Sequence, residues 1–396
     1  MRKAIKIKDL GEVITGNTPP RSNPELYGRH TPFIKATDIE ESSKFTYFPE
    51  EFYSEIGFQK YKKSLIRKGA SCVVTIGSVG KKMTMAHCDC FINQAMNAVV
   101  PNNNYDDEYV YYLLKNNIHK LKMLNSGTAS GRENISKSAF SNMEIEAILD
   151  KDKQIIIGKI LSAYDKLIEN NQKQIKLLEE AAQRLYKEWF VDLRFPGCEN
   201  TPIIDGVPEG WKEGILGDIA INVGKKVKKE DRNKYKQYLP IDCLPRKSLA
   251  YTESLNIKLA ESSLVSFKPK DILFGAMRPY FHKVVIAYDK GLTRNTCFVI
   301  NAKEREILSY LTMLLFSDNT INYATTISVG TTMPYVRLND FLNMEIIIPA
   351  PHIVKEFEKL FKPISEDIVN FAKQIGVLSE ARDRLLTKLM SGEIEV

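Results

Sequence analysis

Gln174-Ile175-Lys176-Leu177-Leu178-Glu179-Glu180-Ala181-Ala182-Gln183-Arg184-Leu185 returns as Gln374-Ile375-Gly376-Val377-Leu378-Ser379-Glu380-Ala381-Arg382-Asp383-Arg384-Leu385, a shift of 200 residues. Upstream, Phe140-Ser141-Asn142-Met143-Glu144-Ile145 returns as Phe341-Leu342-Asn343-Met344-Glu345-Ile346, a shift of 201. Two fainter echoes pair Leu10-Gly11-Glu12-Val13 with Leu216-Gly217-Asp218-Ile219, and Ser126-Gly127-Thr128 with Val329-Gly330-Thr331. Self-similarity at one long period marks a duplicated architecture. Two copies of one unit are therefore expected to fill the 396 residues.

Each copy divides by pattern. Its first part carries short β-branched and aromatic runs, such as Ser71-Cys72-Val73-Val74-Thr75-Ile76 and Ile272-Leu273-Phe274, punctuated by Gly, Pro and Asn. Helical spacing interrupts these runs from Glu108 to Leu124 and from Glu304 to Phe316. The expected class is α+β. The last part reads as one long helix, because between Asp152 and Phe190 there is one glycine and no proline. Leu161, Tyr164, Ile168, Asn171, Ile175, Leu178, Ala182, Leu185 and Trp189 recur at alternating spacings of 3 and 4, the seam of a coiled coil. The second copy gives Phe361, Ile364, Ile368, Phe371, Ile375, Leu378, Arg382, Leu385 and Leu389, with Pro363 marking a start or a kink.

The expected division is thus a first domain at 1–150, a long helix at 151–197, a second domain at 198–350 and a second long helix at 351–396. A lone apolar stripe would be assigned to the helix's own domain. Two matched stripes are more economically buried against each other. A pseudo-two-fold relation between the copies would then make the helices antiparallel, with a domain at each end. The 29-residue seam would span roughly 43 Å at ~1.5 Å per residue. Asn171, the lone amide in the first seam, is read as setting register.

Composition narrows the function by exclusion. With 43% hydrophobic and 27% charged residues the chain is an ordinary globular one, and no apolar run approaches the ~20 residues of a membrane span. The amino terminus alternates charge with apolar residues, unlike a secretion signal, so a cytoplasmic location is expected. A net charge of +7 is compatible with a polyanionic partner. The six cysteines form no CxxC pair, and His87-Cys88-Asp89-Cys90 has no second ligand pair to complete a metal site. Gly77-Ser78-Val79-Gly80-Lys81 lacks the spacing of a nucleotide-binding loop, and the five histidines offer no HExxH. Asn17-Thr18-Pro19-Pro20-Arg21 lacks the aromatic residue that an amino-methyltransferase tetrapeptide requires after its prolines.

The tract Leu178 to Gly197, with Glu179-Glu180-Ala181-Ala182-Gln183-Arg184-Leu185-Tyr186-Lys187-Glu188-Trp189-Phe190-Val191-Asp192-Leu193-Arg194-Phe195-Pro196, resembles the central region of specificity subunits of type I restriction-modification systems. Val207-Pro208-Glu209-Gly210-Trp211-Lys212 with Leu216-Gly217-Asp218-Ile219 resembles the phrase opening each target-recognition domain of that family. Leu385-Leu386-Thr387-Lys388-Leu389-Met390-Ser391-Gly392-Glu393-Ile394 resembles its usual ending. The resemblance covers the whole chain. It implies two target-recognition domains held apart by two antiparallel helices, each reading half of a split double-stranded DNA target. It also implies two adenine-N6 methyltransferase subunits on the helices and a restriction-translocase subunit beside them. Catalysis, with S-adenosylmethionine, ATP and Mg, would belong to those partners, and this chain would hold no cofactor or metal. Two unlike domains imply an asymmetric target, its halves about one helical turn apart.

Base reading needs polar side chains at groove edges, and cations on phosphates fix register. In the first domain the candidate loops supply Asn17, Thr18 and Arg21, then Lys35 and Thr37, Ser78, Lys81 and Lys82, Asn93 and Gln94, and Thr128 with Arg132. Their counterparts in the second are Lys225, Lys226, Lys228 and Lys229, then Arg278, Arg294 and Asn295, and Thr331 and Thr332 with Arg337. Each has a plainer reading: the basic run from Lys225 to Lys236 as solvated surface, Asn93-Gln94 as a turn cap, and Arg278 before Pro279 as a carboxylate partner. Two other classes remain open: a coiled-coil assembly protein whose globular ends bind protein, and an enzyme with an unrecognised Cys or His nucleophile.

Overall fold

A computed structural model describes residues 2–124, 133–260 and 263–396. Its contacts divide the chain into two units, Met1–Glu169 with Leu378–Val396, and Asn170–Val377. Each unit therefore contains a strand-rich domain and a stretch of both long helices.

In the first unit β1 (Gly11–Thr15), β2 (Ser71–Val74), β3 (Met83–Met85) and β4 (Met96–Pro101) form an antiparallel sheet in the order β1-β4-β2-β3. All four residues of β2 are buried because both sheet faces are covered. Successive side chains point to opposite faces. Val73 and Val99 enter a core with Tyr109, Tyr112 and Leu113 of helix α1 (Asp107–Asn117), whereas Cys72, Val74 and Ala98 enter another with Ile34, Ile66 and Ile92. Asp106 caps α1, its carboxylate accepting from the Tyr109 N–H at 3.0 Å.

The second unit repeats the plan. Strands β5 (Ala220–Asn222), β7 (Ile272–Gly275), β8 (Val284–Ile286) and β9 (Cys297–Ala302) pair in the order β5-β9-β7-β8. Strand β6 (Lys225–Val227) is the edge of a separate five-stranded sheet and pairs with Leu264–Phe267.

The repeated Phe-x-Asn-Met-Glu-Ile phrase has one job in both units. Phe140 and Phe341 are buried in short helices, and the following strands, Glu144–Ile148 and Glu345–Ile348, pair with Arg2–Lys6 and Lys212–Ile215. The Met143 carbonyl accepts the Ile7 N–H at 3.1 Å and the Met344 carbonyl the Leu216 N–H at 2.8 Å. Asp9 accepts from the Lys6 N–H and Asp218 from the Ile215 N–H, both at 2.8 Å. These bonds correct the faint echo near the amino terminus: Ile7-Lys8-Asp9-Leu10, three residues earlier than Leu10-Gly11-Glu12-Val13, is the equivalent of Leu216-Gly217-Asp218-Ile219.

The long helices are α2 (Lys151–Tyr186), which continues into a π turn at Lys187–Val191, and α4 (Pro351–Ser391). Pro363 lies inside α4 and is not its start; Pro351 opens it. The one glycine of α2 is explained by close approach: a Cβ on Gly158 would lie 2.8 Å from the Glu108 Cβ of α1. At the far end of α4, Gly392 takes a left-handed φ of 76°, and Arg2 donates through Nη2 to the Leu389 carbonyl at 3.2 Å. Glycine and a cation are what an orphaned helix C-terminus requires.

The buried stripe is wider than the seam read from the sequence. Leu161, Ile168, Asn171, Ile175, Ala182 and Trp189 are buried, but Tyr164, Leu178 and Leu185 are only half-buried, and Asp165, Glu179 and Tyr186, one place on, are buried instead. In α4, Phe361, Ile368, Ile375, Arg382 and Leu389 are buried, Ile364, Leu378, Phe371 and Leu385 half-buried, and Ala372 and Leu386 buried. The reason is that each helix serves two neighbours. Leu386 enters the first domain's core with Leu161, and Tyr186 lies 6.1 Å from the Tyr310 ring of helix α3 (Leu308–Phe316). A stripe that covers a domain as well as a partner helix takes in the position beside the seam.

Within each unit the helix contacts run antiparallel. In the first, Asp165 meets Arg382, and Ile157 and Leu161 share a core with Leu386, Leu389 and Met390. In the second, Asn171 donates to Gln374 at 3.0 Å, and Trp189 packs on Phe357 with ring centroids 5.8 Å apart. Phe190 of the π turn completes that aromatic cluster, 4.8 Å from Tyr310 and 4.9 Å from Phe357.

Candidate functional site

The register of β1 to β4 brings four strand ends, and the three segments leading from them, to one end of their sheet. Thr15 at the end of β1 pairs with Asn97 near the start of β4, Val74 at the end of β2 with Met96, and Val73 with Met83 at the start of β3. The segments beyond these residues are 16–21, 75–82 and 93–95. Backbone bonds lash them together: the Asn17 N–H donates to Ile92 at 2.9 Å, the Asn93 N–H to Ile34 at 3.0 Å, and the Gly77 N–H to Glu133 at 3.0 Å. Asn17, Thr18, Ser78, Lys81, Lys82, Asn93 and Gln94 therefore converge, and the turn holding Lys35 and Thr37 follows Ile34 directly. The Thr18 hydroxyl is hydrogen-bonded to the Gln94 side chain across the cluster. Thr128 and Arg132 lie outside the described residues.

Gly16 makes this closeness possible, since a Cβ there would meet the Asn93 carbonyl oxygen at 2.1 Å and that of Ile92 at 2.4 Å. Both obstacles are backbone, so Gly16→Ala must part the loops. We expect a loss of about 2 kcal/mol in the first unit's stability, read as a lowered denaturation midpoint.

The second unit builds the same end. Asn222 pairs with Ile300, Gly275 with Cys297, and Phe274 with Val284, so the segments following β5 and β7 and preceding β9 converge. The Ala276 N–H donates to Thr296 and the Val336 N–H to Ala276, each at 2.9 Å, and the Arg278 N–H to Pro334 at 2.7 Å. Arg278, Arg294, Asn295, Thr331, Thr332 and Arg337 are carried on these segments, with Arg278 half-buried and the others exposed. Lys225 and Lys226 depart from their expected loop, because they sit on the exposed edge strand β6, where β-pairing to Leu264–Phe267 satisfies one side of the backbone. Lys228 and Lys229 follow on exposed chain, and Lys228 lies 3.8 Å from Glu230.

Charge at the two ends is handled differently. Arg21 and Lys35 converge on Glu51 at 2.7 and 3.0 Å, and Lys35 also reaches Glu50 at 2.7 Å. The hydrogen bond from Arg21 holds the Glu51 carboxyl below its ordinary range, and Glu50 holds the Lys35 ammonium above its own. Arg21 also stacks over the Tyr27 ring at 4.6 Å. Arg294 donates through Nε to the Tyr238 hydroxyl at 2.5 Å. The arrangement offers amide, hydroxyl and guanidinium groups at a rigid sheet end, suited to hydrogen-bonding a polar, anionic surface.

Two buried carboxylates on α2 escaped the sequence reading. Asp165 accepts from Arg382 at 2.6 Å and from the Tyr112 hydroxyl of α1. Burial and the neighbouring Asp165 push the Tyr112 phenol far up. Glu179 accepts from the Ser248 hydroxyl at 2.7 Å and the Leu249 N–H at 2.6 Å. Burial outweighs those two bonds and pushes the Glu179 carboxyl up to about 7. The signal available in the sequence was a carboxylate one place after a seam position, twice in the first copy of the helix pattern: Asp165 after Tyr164 and Glu179 after Leu178.

The family model of the type I restriction modification DNA specificity domain matches residues 3–180 and again 208–375. Over 409 aligned residues the chain is 29% identical to the type I restriction enzyme MjaIX specificity subunit of Methanocaldococcus jannaschii, covering 99% of this chain and 93% of that one. It is 32% identical over 178 residues to the HindI specificity subunit of Haemophilus influenzae, covering 44% of this chain and 38% of the relative. The crystal structure of a type I restriction-modification S subunit from M. genitalium matches with a TM-score of 0.60 at 17% identity, covering 98% of this chain and 96% of that one, which establishes likeness of fold.

Proposed function

The chain belongs to the family of type I restriction-modification DNA specificity domains, of which it carries two copies, and we propose that each copy reads one half of a split, asymmetric DNA target through the loops gathered at its sheet end. The observation that carries this reading is the repetition of the same loop convergence with dissimilar side chains. By the matched backbone bonds, Gly77 and Asn93 stand in one copy where Arg278 and Arg294 stand in the other. Equivalent positions with unlike hydrogen-bonding groups suit two unlike half-sites. The exposed lysines near β6 and the first domain's Lys81 and Lys82 are assigned to phosphates, and the amides and arginines to base edges.

On this reading the chain performs no chemistry. Two methyltransferase subunits dock on the helices and methylate adenine, a restriction-translocase subunit joins them, and S-adenosylmethionine, ATP and Mg are bound by those partners. The half-sites lie about one helical turn apart. Among the described residues no helix is long and apolar enough to cross a membrane, and a cytoplasmic place beside the chromosome follows from the proposed substrate.

Purified with its methyltransferase partner, the chain should retain a duplex bearing one split sequence and release it when either half is scrambled. Binding should also fall steeply with salt, as counterion release from phosphates requires. Equal retention of both scrambled duplexes would contradict the proposal.

A further inference from the structure

We propose that Arg278 reads a guanine in the half-site of the second domain, an inference that rests on the DNA-reading function above. Arg278 occupies the place that Gly77 holds in the first domain. The Gly77 N–H donates to Glu133 and the Arg278 N–H to Pro334, and the preceding residues, Ile76 and Met277, bridge Asn134 and Tyr335 in the same way. Both positions are left-handed, with φ of 92° at Gly77 and 50° at Arg278. Glycine adopts that conformation freely, whereas a side chain crowds its own carbonyl there. The second domain thus keeps an arginine in a backbone made for glycine.

Among the described residues one long hydrogen bond is all that answers the guanidinium. The Arg278 Nε is buried without an acceptor, and the one hydrogen bond of its guanidinium among the described residues runs from Nη2 to the Thr332 carbonyl at 3.3 Å. Among the described residues no carboxylate lies within ion-pair distance of it, in contrast to Arg21, Lys35 and Arg67. A strained backbone is a feature that folding alone does not reward, and the buried Nε leaves the two terminal nitrogens to face a partner. The Thr332 bond holds the group beside exposed Thr331 and Thr332, at the end of the domain where Arg294 and Asn295 also emerge. A planar guanidinium fork matches the N7 and O6 acceptors of guanine in the major groove with two donors at once, a geometry that a single ammonium does not reproduce. A phosphate contact would need only the charge, and lysine would supply it.

The test uses the full chain with its methyltransferase partner, sequencing the methylated sites made by the wild type and by Arg278→Asn, Arg278→Gly and Arg278→Lys. Asparagine and glycine tolerate the left-handed backbone, so thermal midpoints should equal or exceed that of the wild type. Wild-type sites should contain a guanine in one half that the Asn and Gly variants no longer require, with discrimination at that position falling roughly tenfold or more and the other half unchanged. The Lys variant should lose the same discrimination. An unchanged set of sites in the Asn and Gly variants, or full discrimination with lysine, would overturn the assignment while leaving the DNA-reading function intact. Wild-type sites without two separate halves would overturn both.

Discussion

Replacing Arg382 with leucine should destabilise the first unit by about 3–5 kcal/mol, measured as a shift of its transition in chemical denaturation of the full chain. Arg382 and Asp165 are 6% and 8% exposed, and their Nη1 and Oδ1 atoms lie 2.6 Å apart. Removing the cation leaves the Asp165 carboxylate buried, with the Tyr112 hydroxyl as its remaining hydrogen-bond partner among the described residues and Lys115 as a more distant cation. Most of the cost is that stranded charge and not the value of the pair, since a buried ion pair often does no better than a packed apolar one. Asp165→Asn added to Arg382→Leu should therefore recover most of the loss, because the amide stays neutral and its oxygen still accepts from Tyr112. A single-variant cost below about 1 kcal/mol, the range of exposed pairs, would mean that water screens this pair.

The second unit should lose stability as pH rises from about 4.5 to about 7. Burial raises the Glu179 carboxyl to about 7 from an ordinary 4.5. A group whose folded-state value is raised contributes its full stability below about 4.5 and loses it progressively up to about 7. The loss is about 3 kcal/mol at roughly 1.4 kcal/mol per unit. Glu179→Gln keeps an acceptor for Ser248 and the Leu249 N–H but cannot ionise. Against the wild type it should therefore gain about 3 kcal/mol in relative stability between pH 4.5 and pH 8, read from denaturation midpoints at both. A constant difference across that range would place a hydrated carboxylate at Glu179.

These two carboxylates mark where sequence reading stops. The duplication, the α+β character and both long helices were legible, because repeats and heptad spacing are one-dimensional signals. Asp165 and Glu179 were not, since one place off the seam a carboxylate reads as solvated surface. Only the approach of Tyr112 in one unit and of the Ser248-Leu249 turn in the other buries them. The same limit applies at Lys225 and Lys226, whose charge suggests a loop, while the partner that makes them a strand, Leu264–Phe267, lies some forty residues on. The candidate loops are recognised by polar loop residues that resemble the family's loop positions. Their convergence could not be read, because it follows from strand register, which is fixed by long-range pairing such as Thr15 with Asn97. The strain at Arg278 was hidden altogether: Arg-Pro reads as an ordinary turn until φ is known.

Sequencing the methylated adenines of a host with and without this gene tests the central claim most directly. Two unlike reading domains on one chain predict a single gene-dependent sequence of two different short halves separated by a fixed run of unread bases. A continuous or palindromic site, or no gene-dependent methylation at all while the partner subunits are present, would contradict it.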